Sequence, residues 1–433
     1  MNRFAITATS DNLAEEIRPA DNVTALSGFL TQWIVALVVG FLAISTFEGA
    51  LRFYAAQAGW PWIVYVKDVL LIGALLLGAL NAGLTNLRNG PFLLVLAFLA
   101  AGTAVGVVIL ADIRQPLFAA KTWLPLLCGT VVGAAADVNS KFLRRACGVL
   151  WLAAVAGIGL TSVWNAPWVG HIYDVGGVAL ESSREWTIGE TNRVPGFSRA
   201  SFDAALQCLF FGTIVVTMTR RYAVALLIWL ITAAAIYLTL SRSALLALGV
   251  VVGLHALVIS LKATQRLSKL AILVLATAVV SVPFAAGYYF KNKAGLADSS
   301  SVTSVSSFEE RATKTWPDGL ALPERDSSWV MGRGLGGIGV GQQFFEPDIF
   351  NPGDNFFVYL WGAFGVVGGV FVAFIPFQAW RAQIPFSAKR RAAIMIVGAF
   401  LAVGLTLNGI EAAIASLFLG MGLVWLTDQR LPE

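Results

Sequence analysis

Ala223-Val224-Ala225-Leu226-Leu227-Ile228-Trp229-Leu230-Ile231-Thr232-Ala233-Ala234-Ala235-Ile236-Tyr237-Leu238-Thr239-Leu240 runs for eighteen residues without a charged side chain. A run of roughly 18 apolar residues is long enough to cross a bilayer core as a helix. It does not alternate as a ~10-residue strand of a membrane barrel would, and neither does the stretch 69–80. In lipid, a segment of this kind satisfies its backbone hydrogen bonds only as a helix. Similar runs recur almost from end to end. The 433 residues are 57% hydrophobic and 13% charged, with a mean hydropathy of +0.75. A soluble domain carries about 25% charged residues. The sequence therefore reads as an all-α polytopic membrane protein.

Working outward, twelve spans are expected, at roughly 26–46, 62–82, 91–111, 115–136, 145–163, 201–218, 222–240, 243–261, 268–288, 356–378, 391–408 and 411–427. The chain then divides into an N-terminal segment 1–25, spans one to five within 26–163, a loop 164–200, spans six to nine within 201–288, a larger loop 289–355, spans ten to twelve within 356–427, and a tail 428–433. Residues 1–24 carry Asp11, Glu15, Glu16 and Asp21, unlike the basic head of a signal peptide. The first apolar run reads as a retained helix.

Lys and Arg in short loops set orientation. One set of connections holds thirteen basic residues: Arg88, Lys141, Arg144, Arg145, Arg220, Arg221, Lys262, Arg266, Lys269, Arg381, Lys389, Arg390 and Arg391. The opposite short connections hold three, Arg52, Arg114 and Arg242. The first set is expected in the cytoplasm together with both termini, and loops 164–200 and 289–355 outside. Cys128, Cys147 and Cys208 lie in apolar runs without disulfide or metal spacing and read as core residues. With no histidine cluster and no Asp-rich motif, neither a metal nor a cofactor is expected. Nucleic acid is not an expected partner; the bilayer is.

Both outer loops mix aromatics with carboxylates. Loop 164–200 has Trp164, Trp168, Tyr173 and Trp186 among Glu181, Glu185 and Glu190. Loop 289–355 starts Ser-rich at 299–307, then carries Trp316, Trp329, Phe344, Phe345 and Phe350 beside Asp318, Glu324, Asp326, Glu346 and Asp348. This composition suits sugar rings, with Trp186, Trp329 and Asn355 as candidate contacts, although belt aromatics gather at membrane surfaces anyway. Long structured loops are usually functional.

Ionisable groups at span ends are costly and tend to be functional. Lys67 and Asp68 are adjacent and read as a local pair. Arg114, Lys121, Arg193, Arg199, Arg242 and Arg333 are candidates for holding a diphosphate, which Arg binds bidentately. Snorkelling is the bland alternative. The run Gly332-Arg333-Gly334-Leu335-Gly336-Gly337-Ile338-Gly339 permits tight turns and close backbone approach, or is simply a flexible turn. Asn351-Pro352-Gly353-Asp354-Asn355 delivers Asp354 to the outer surface as a general base or as the cap of span ten. Glu411 and His171 are the other candidate catalytic groups; His255 reads as a packing residue.

Ser241-Arg242-Ser243-Ala244-Leu245, Gly332-Arg333-Gly334-Leu335-Gly336 and Asp354-Asn355, in that order, resemble the motifs of the O-antigen polymerase and ligase superfamily, including Wzy-type, xanthan-polymerase-like exopolysaccharide polymerases. Arg193-Val194-Pro195-Gly196-Phe197 resembles a further motif of that family. The resemblance is best over about residues 190–380. It implies a GT-C-like, metal-independent helical glycosyltransferase using undecaprenyl-diphosphate-linked oligosaccharide in the bacterial inner membrane. It also implies a chain-length co-polymerase and a flippase as pathway partners. Ligases of the family usually carry His where this chain has Asp354, which favours a polymerase over a ligase. A lipid-linked oligosaccharide flippase is the alternative from another class.

Overall fold

A computed structural model describes residues 19–85, 89–136, 140–188, 191–217, 219, 221–260, 265–291, 306–326, 328–382 and 388–427. Of the sequence readings above, Asp11, Glu15, Glu16, Arg88, Glu190, Arg220, Lys262, the serines at 299–305 and the tail 428–433 lie outside the described residues.

The helices are α1 (Pro19–Thr46), α2 (Glu48–Gln57), α3 (Val66–Thr85), α4 (Gly90–Ile109), α5 (Arg114–Lys121), α6 (Leu124–Ala135), α7 (Lys141–Val163), α8 (Ser201–Thr217), α9 (Tyr222–Leu238), α10 (Arg242–Ser260), α11 (Gln265–Lys291), α12 (Ser306–Glu310), α13 (Trp316–Arg325), α14 (Val340–Phe345), α15 (Phe356–Phe364), α16 (Val366–Arg381), α17 (Ala388–Gly404) and α18 (Ala413–Thr427). Two small antiparallel hairpins stand in loop 164–200: β1 (Ile172–Val175) with β2 (Val178–Glu181), and β3 (Thr187–Ile188) with β4 (Thr191–Asn192). The loop is tied down by strand pairing and by Trp168, whose Nε1 donates to the Gly196 carbonyl at 2.9 Å.

Among the described residues, six helical segments, at Ala25–Thr46, Pro61–Gly83, Gly90–Ile109, Arg114–Ala135, Lys141–Val163 and Arg266–Lys291, are long and apolar enough to cross a membrane. Shorter apolar helices join them. Large apolar side chains such as Leu76, Val108, Val149, Leu226 and Val274 face outward, where water would be a poor solvent and lipid a good one. The protein is a multi-pass membrane protein.

The centre of the bundle is α6 against α18, with α8 and α17 beside them. Glycines let α6 and α18 approach: a Cβ at Gly129 would fall 2.0 Å from the Leu417 carbonyl oxygen. Small residues at a crossing are the usual route to tight packing in membranes, where apolar burial between helices gains little. His255 accepts from Trp229 Nε1 at 3.0 Å, in keeping with the packing reading.

Two expected spans are broken. Span four is α5 followed by α6, with Pro125 at the start of α6. Span ten is α15 followed by α16, parted at Gly365, whose φ of 57° and ψ of −139° lie outside the helical region. The break is filled by the glycine run. Arg333 and Gly334 donate backbone N–H groups to the Gly362 and Ala363 carbonyls, both at 2.9 Å, and Leu335 donates to Gly102 of α4 at 2.8 Å. A Cβ on Gly334 (φ 79°) would sit 2.1 Å from the Gly106 nitrogen. The run is therefore a buried wedge between α4, α5 and α15 rather than a flexible turn. The Gly362 and Ala363 carbonyls are groups that the end of α15 leaves over.

Candidate functional site

The segments preceding α8, α10 and α15 meet at one end of the bundle. Leu240 turns the chain from α9 into α10 with φ 55°, the one non-glycine positive φ among the described residues. Such outliers gather at functional sites. Its carbonyl accepts from Arg193 Nη2 at 3.3 Å, and the next residue but one is Arg242. Ser243 then shares a 2.6 Å hydrogen bond with Thr406, which holds this turn to the connection between α17 and α18.

Arg193 lies half-buried and its Nε is enclosed without a protein partner among the described residues. Burial, then the charges of Arg242 and Arg311, lower its pKa from the ordinary guanidinium value. Three arginines thus converge. Arg311 sits in a π-helical turn, Arg311–Thr315, between α12 and α13; π-turns are frequent at functional sites. Its Nε donates to Asp354 Oδ2 at 2.9 Å, and Trp316 Nε1 donates to the Asp354 carbonyl at 3.0 Å.

Asp354 is not the cap of α15; Asn355 is. The Asn355 side chain accepts from the N–H groups of Phe357 and Val358 at 2.8 and 3.0 Å. Its Nδ2 donates to the Val279 and Leu405 carbonyls at 3.1 and 3.0 Å. Pro283 explains the first of these: it has no N–H for the carbonyl four residues earlier. The fully buried Asn355 is a structural hub whose amide is already engaged, so no group remains for a sugar.

Glu411 lies in the turn between α17 and α18, half-buried, and its Oε1 accepts the Val340 N–H at 2.9 Å. Burial pushes its pKa up to about 8, helped by the nearby Asp354 charge and opposed by that hydrogen bond and by the Asn408 side chain. The site therefore joins Arg193, Arg242, Arg311, Asp354 and Glu411. With Glu411 protonated near neutrality, it offers three cations and one carboxylate.

Trp186 borders this group. Its ring lies 5.8 Å from the Arg193 guanidinium and 5.5 Å from that of Arg184, and it stacks on Phe202 at 5.9 Å. The other sequence candidates are elsewhere. Arg114 is exposed and paired with Asp112. Lys121 pairs with Asp68 at 2.7 Å, and Lys67 pairs with Glu48 at 2.8 Å, so the adjacent Lys67 and Asp68 do not pair with each other as expected. Arg333 is buried, bonded to Asp326 and to Glu346 at 3.1 Å, and fixes the glycine wedge. His171 packs edge-on against Phe53 and bonds Ser182 at 3.2 Å. Arg199 belongs to a second polar cluster with Glu48 and Arg52. Trp329 is exposed, and its carbonyl accepts Val366 N–H at the α15–α16 break.

Sequence reading missed Arg311. No local motif marks it, but an Asp at a membrane surface calls for a cation, and loop 289–355 has only Lys291, Lys293, Arg311, Lys314, Arg325 and Arg333 to offer.

Fold and site together define a polytopic helical membrane protein with an arginine-rich, carboxylate-bearing centre at one end of its bundle. Residues 225–373 match the model of the O-antigen ligase family, a stretch that includes Arg242, Arg311 and Asp354. That match, over about a third of the chain, supports the O-antigen polymerase/ligase superfamily and implies a membrane glycosyl-transferring enzyme. No curated protein and no solved structure matches the chain.

Proposed function

We propose that the protein polymerises undecaprenyl-diphosphate-linked oligosaccharide repeats into exopolysaccharide or O-antigen at the periplasmic face of the inner membrane. The convergence of Arg193, Arg242 and Arg311 beside Asp354 carries this reading. A hydroxyl at the non-reducing end of one lipid-linked repeat attacks the anomeric carbon of the other glycan. The bond from that carbon to the diphosphate breaks, and the lipid diphosphate leaves with the electron pair. The arginines stabilise the charge that develops on it. Asp354 accepts the hydroxyl proton once Arg311 turns from the carboxylate to the diphosphate. Glu411, protonated near neutral pH, is poorly suited to be the base and better suited to keep repulsion off Asp354. The proposal includes a GT-C-like arrangement of twelve spans, both termini in the cytoplasm, and a chain-length co-polymerase and flippase as pathway partners.

The test uses protein in lipid, supplied with undecaprenyl-diphosphate-linked repeats, with product length read on a gel. Wild type is expected to give a ladder, and Arg242→Ala to lower its rate by about 10²–10³-fold. A ladder indifferent to the mutation would remove Arg242 from the site. Transfer of a single glycan to a different acceptor would mean a ligase, and movement of repeats across the bilayer without elongation would mean a flippase.

A further inference from the structure

Arg311 and Asp354 stand 43 positions apart in the chain, each on a local irregularity of the backbone. Arg311 opens the π-helical turn Arg311–Thr315, in which the Trp316 N–H donates to the Arg311 carbonyl. Pro317 follows at the head of α13. It has no N–H for the Thr313 carbonyl four residues earlier, so the regular helical ladder is interrupted there. Asp354 follows the Pro352-Gly353 turn, where Gly353 has φ 61°, a conformation that glycine adopts at no steric cost. Neither irregularity by itself fixes the distance between the two side chains.

Asn351 spans them. Its Nδ2 donates to the Thr315 carbonyl, at the end of the π-turn, at 2.7 Å, and its Oδ1 accepts the Gly353 N–H at 2.9 Å. These partners fix the direction of the amide, since a reversed amide would set oxygen against oxygen and N–H against N–H. The Asn351 backbone is also held. Its N–H donates to Gln342 Oε1 at 2.8 Å, and its carbonyl accepts the Gly339 N–H at 2.9 Å. Asn351 is 5% exposed, and a Cβ on Gly319 of α13 would lie 3.3 Å from its Oδ1. Both ends of the side-chain amide are thus engaged by protein. A second strut joins the same two pieces: Trp316, fully buried next to Thr315, donates its Nε1 proton to the Asp354 carbonyl.

We infer that Asn351 is a positioning residue: it clamps the π-turn to the turn before α15 and so sets the Arg311 guanidinium against the Asp354 carboxylate. What those two groups then do rests on the proposed polymerase reading. In that reaction Arg311 turns from the carboxylate to the diphosphate, and Asp354 meets a hydroxyl. Both must start within one side chain's swing of the same place. Their mutual ion pair cannot define that place, because it opens during the reaction. The Asn351 clamp is made to backbone groups and survives the opening.

The experiment uses the full chain in lipid, supplied with undecaprenyl-diphosphate-linked repeats. Asn351→Asp keeps the size and the acceptor for Gly353 but sets an oxygen against the Thr315 carbonyl. Asn351→Ser keeps a hydroxyl near Gly353 and loses the reach to Thr315. Each is expected to lower kcat by about 10–10²-fold, as a misplacement near 1 Å does. KM should stay nearly unchanged, because the charge that Arg311 meets develops in the transition state. Combined with Arg311→Ala, neither should cost anything further. The same cycle is read without turnover, as binding of undecaprenyl diphosphate in nanodiscs by native mass spectrometry. There the Asn351 variants should weaken binding as Arg311→Ala does and not beyond it. Of the two variants, the one that loses less thermal stability decides. Losses that multiply with Arg311→Ala in a protein that still elongates, or wild-type kcat and binding in the Asn351 variants, would overturn the inference and leave the polymerase reading standing. A wild type that shows the non-additive binding cycle and elongates nothing would keep Asn351 and remove the polymerase reading. Neither binding nor elongation by wild type would overturn both.

Discussion

At the scale of single residues, the carboxylates are distinguished by their surroundings. Asp354 faces Arg311; Glu411, half-buried, faces the Val340 N–H and the Asn408 side chain. A carboxyl whose folded-state pKa is raised binds more protons folded than unfolded over the interval between the two values. For Glu411 that interval runs from the ordinary glutamate value to about 8. Its contribution to stability is complete below the lower value and is lost as pH rises through the upper one. Glu411→Gln, which keeps shape and removes the titration, should flatten the fall in thermal stability between about pH 6 and 9. Thermal melts of the two proteins in the same detergent at both pH values provide the check. An identical slope would mean that Glu411 is already ionised in the fold.

At the scale of elements, the Pro283–Asn355 contact ties α11 to the start of α15. The sequence showed both residues but not their relation, because a proline's orphaned carbonyl becomes visible only when a partner is placed against it. Asn355→Ala removes the α15 cap and unpairs the Val279 and Leu405 carbonyls, at a cost of roughly 2–4 kcal/mol. Pro283→Ala supplies an N–H to Val279 from within α11. It should recover part of that loss in the double variant while doing little alone, and a double-mutant cycle of unfolding measurements tests it. The helical runs themselves were legible, because long apolar stretches have one solution in lipid. The α15–α16 break was not, since span ten is apolar on both sides of Gly365 and only the glycine wedge from a distant loop fills the gap. Asp354 and Asn355 illustrate the same limit: their adjacency was plain, but which one caps and which one faces Arg311 depends on backbone direction.

At the scale of the whole molecule, Arg193 and Arg242 were singled out from sequence and do meet. Arg114, Lys121, Arg199 and Arg333 shared their chemistry but went to other partners, since residue type and the side of a membrane do not fix lateral position. Orientation can be tested directly, because Cys128, Cys147 and Cys208 are all buried and should not react with external reagents. Lys141 and Ser162 are exposed near opposite ends of α7. In intact spheroplasts, Ser162→Cys should be modified by a membrane-impermeant maleimide and Lys141→Cys only after lysis; the reverse pattern would invert the assignment.

The wedge also constrains how the protein is made. Gln115 and the Gly336 carbonyl that it bonds are 221 positions apart in the chain, and the groove on α4 at Gly102 and Gly106 receives Leu335 from the same late segment. A ribosome releases α4 and α5 into the bilayer long before that segment exists. Until it arrives, lipid or a chaperone must occupy the groove, and its arrival is what converts an inserted chain into a finished one.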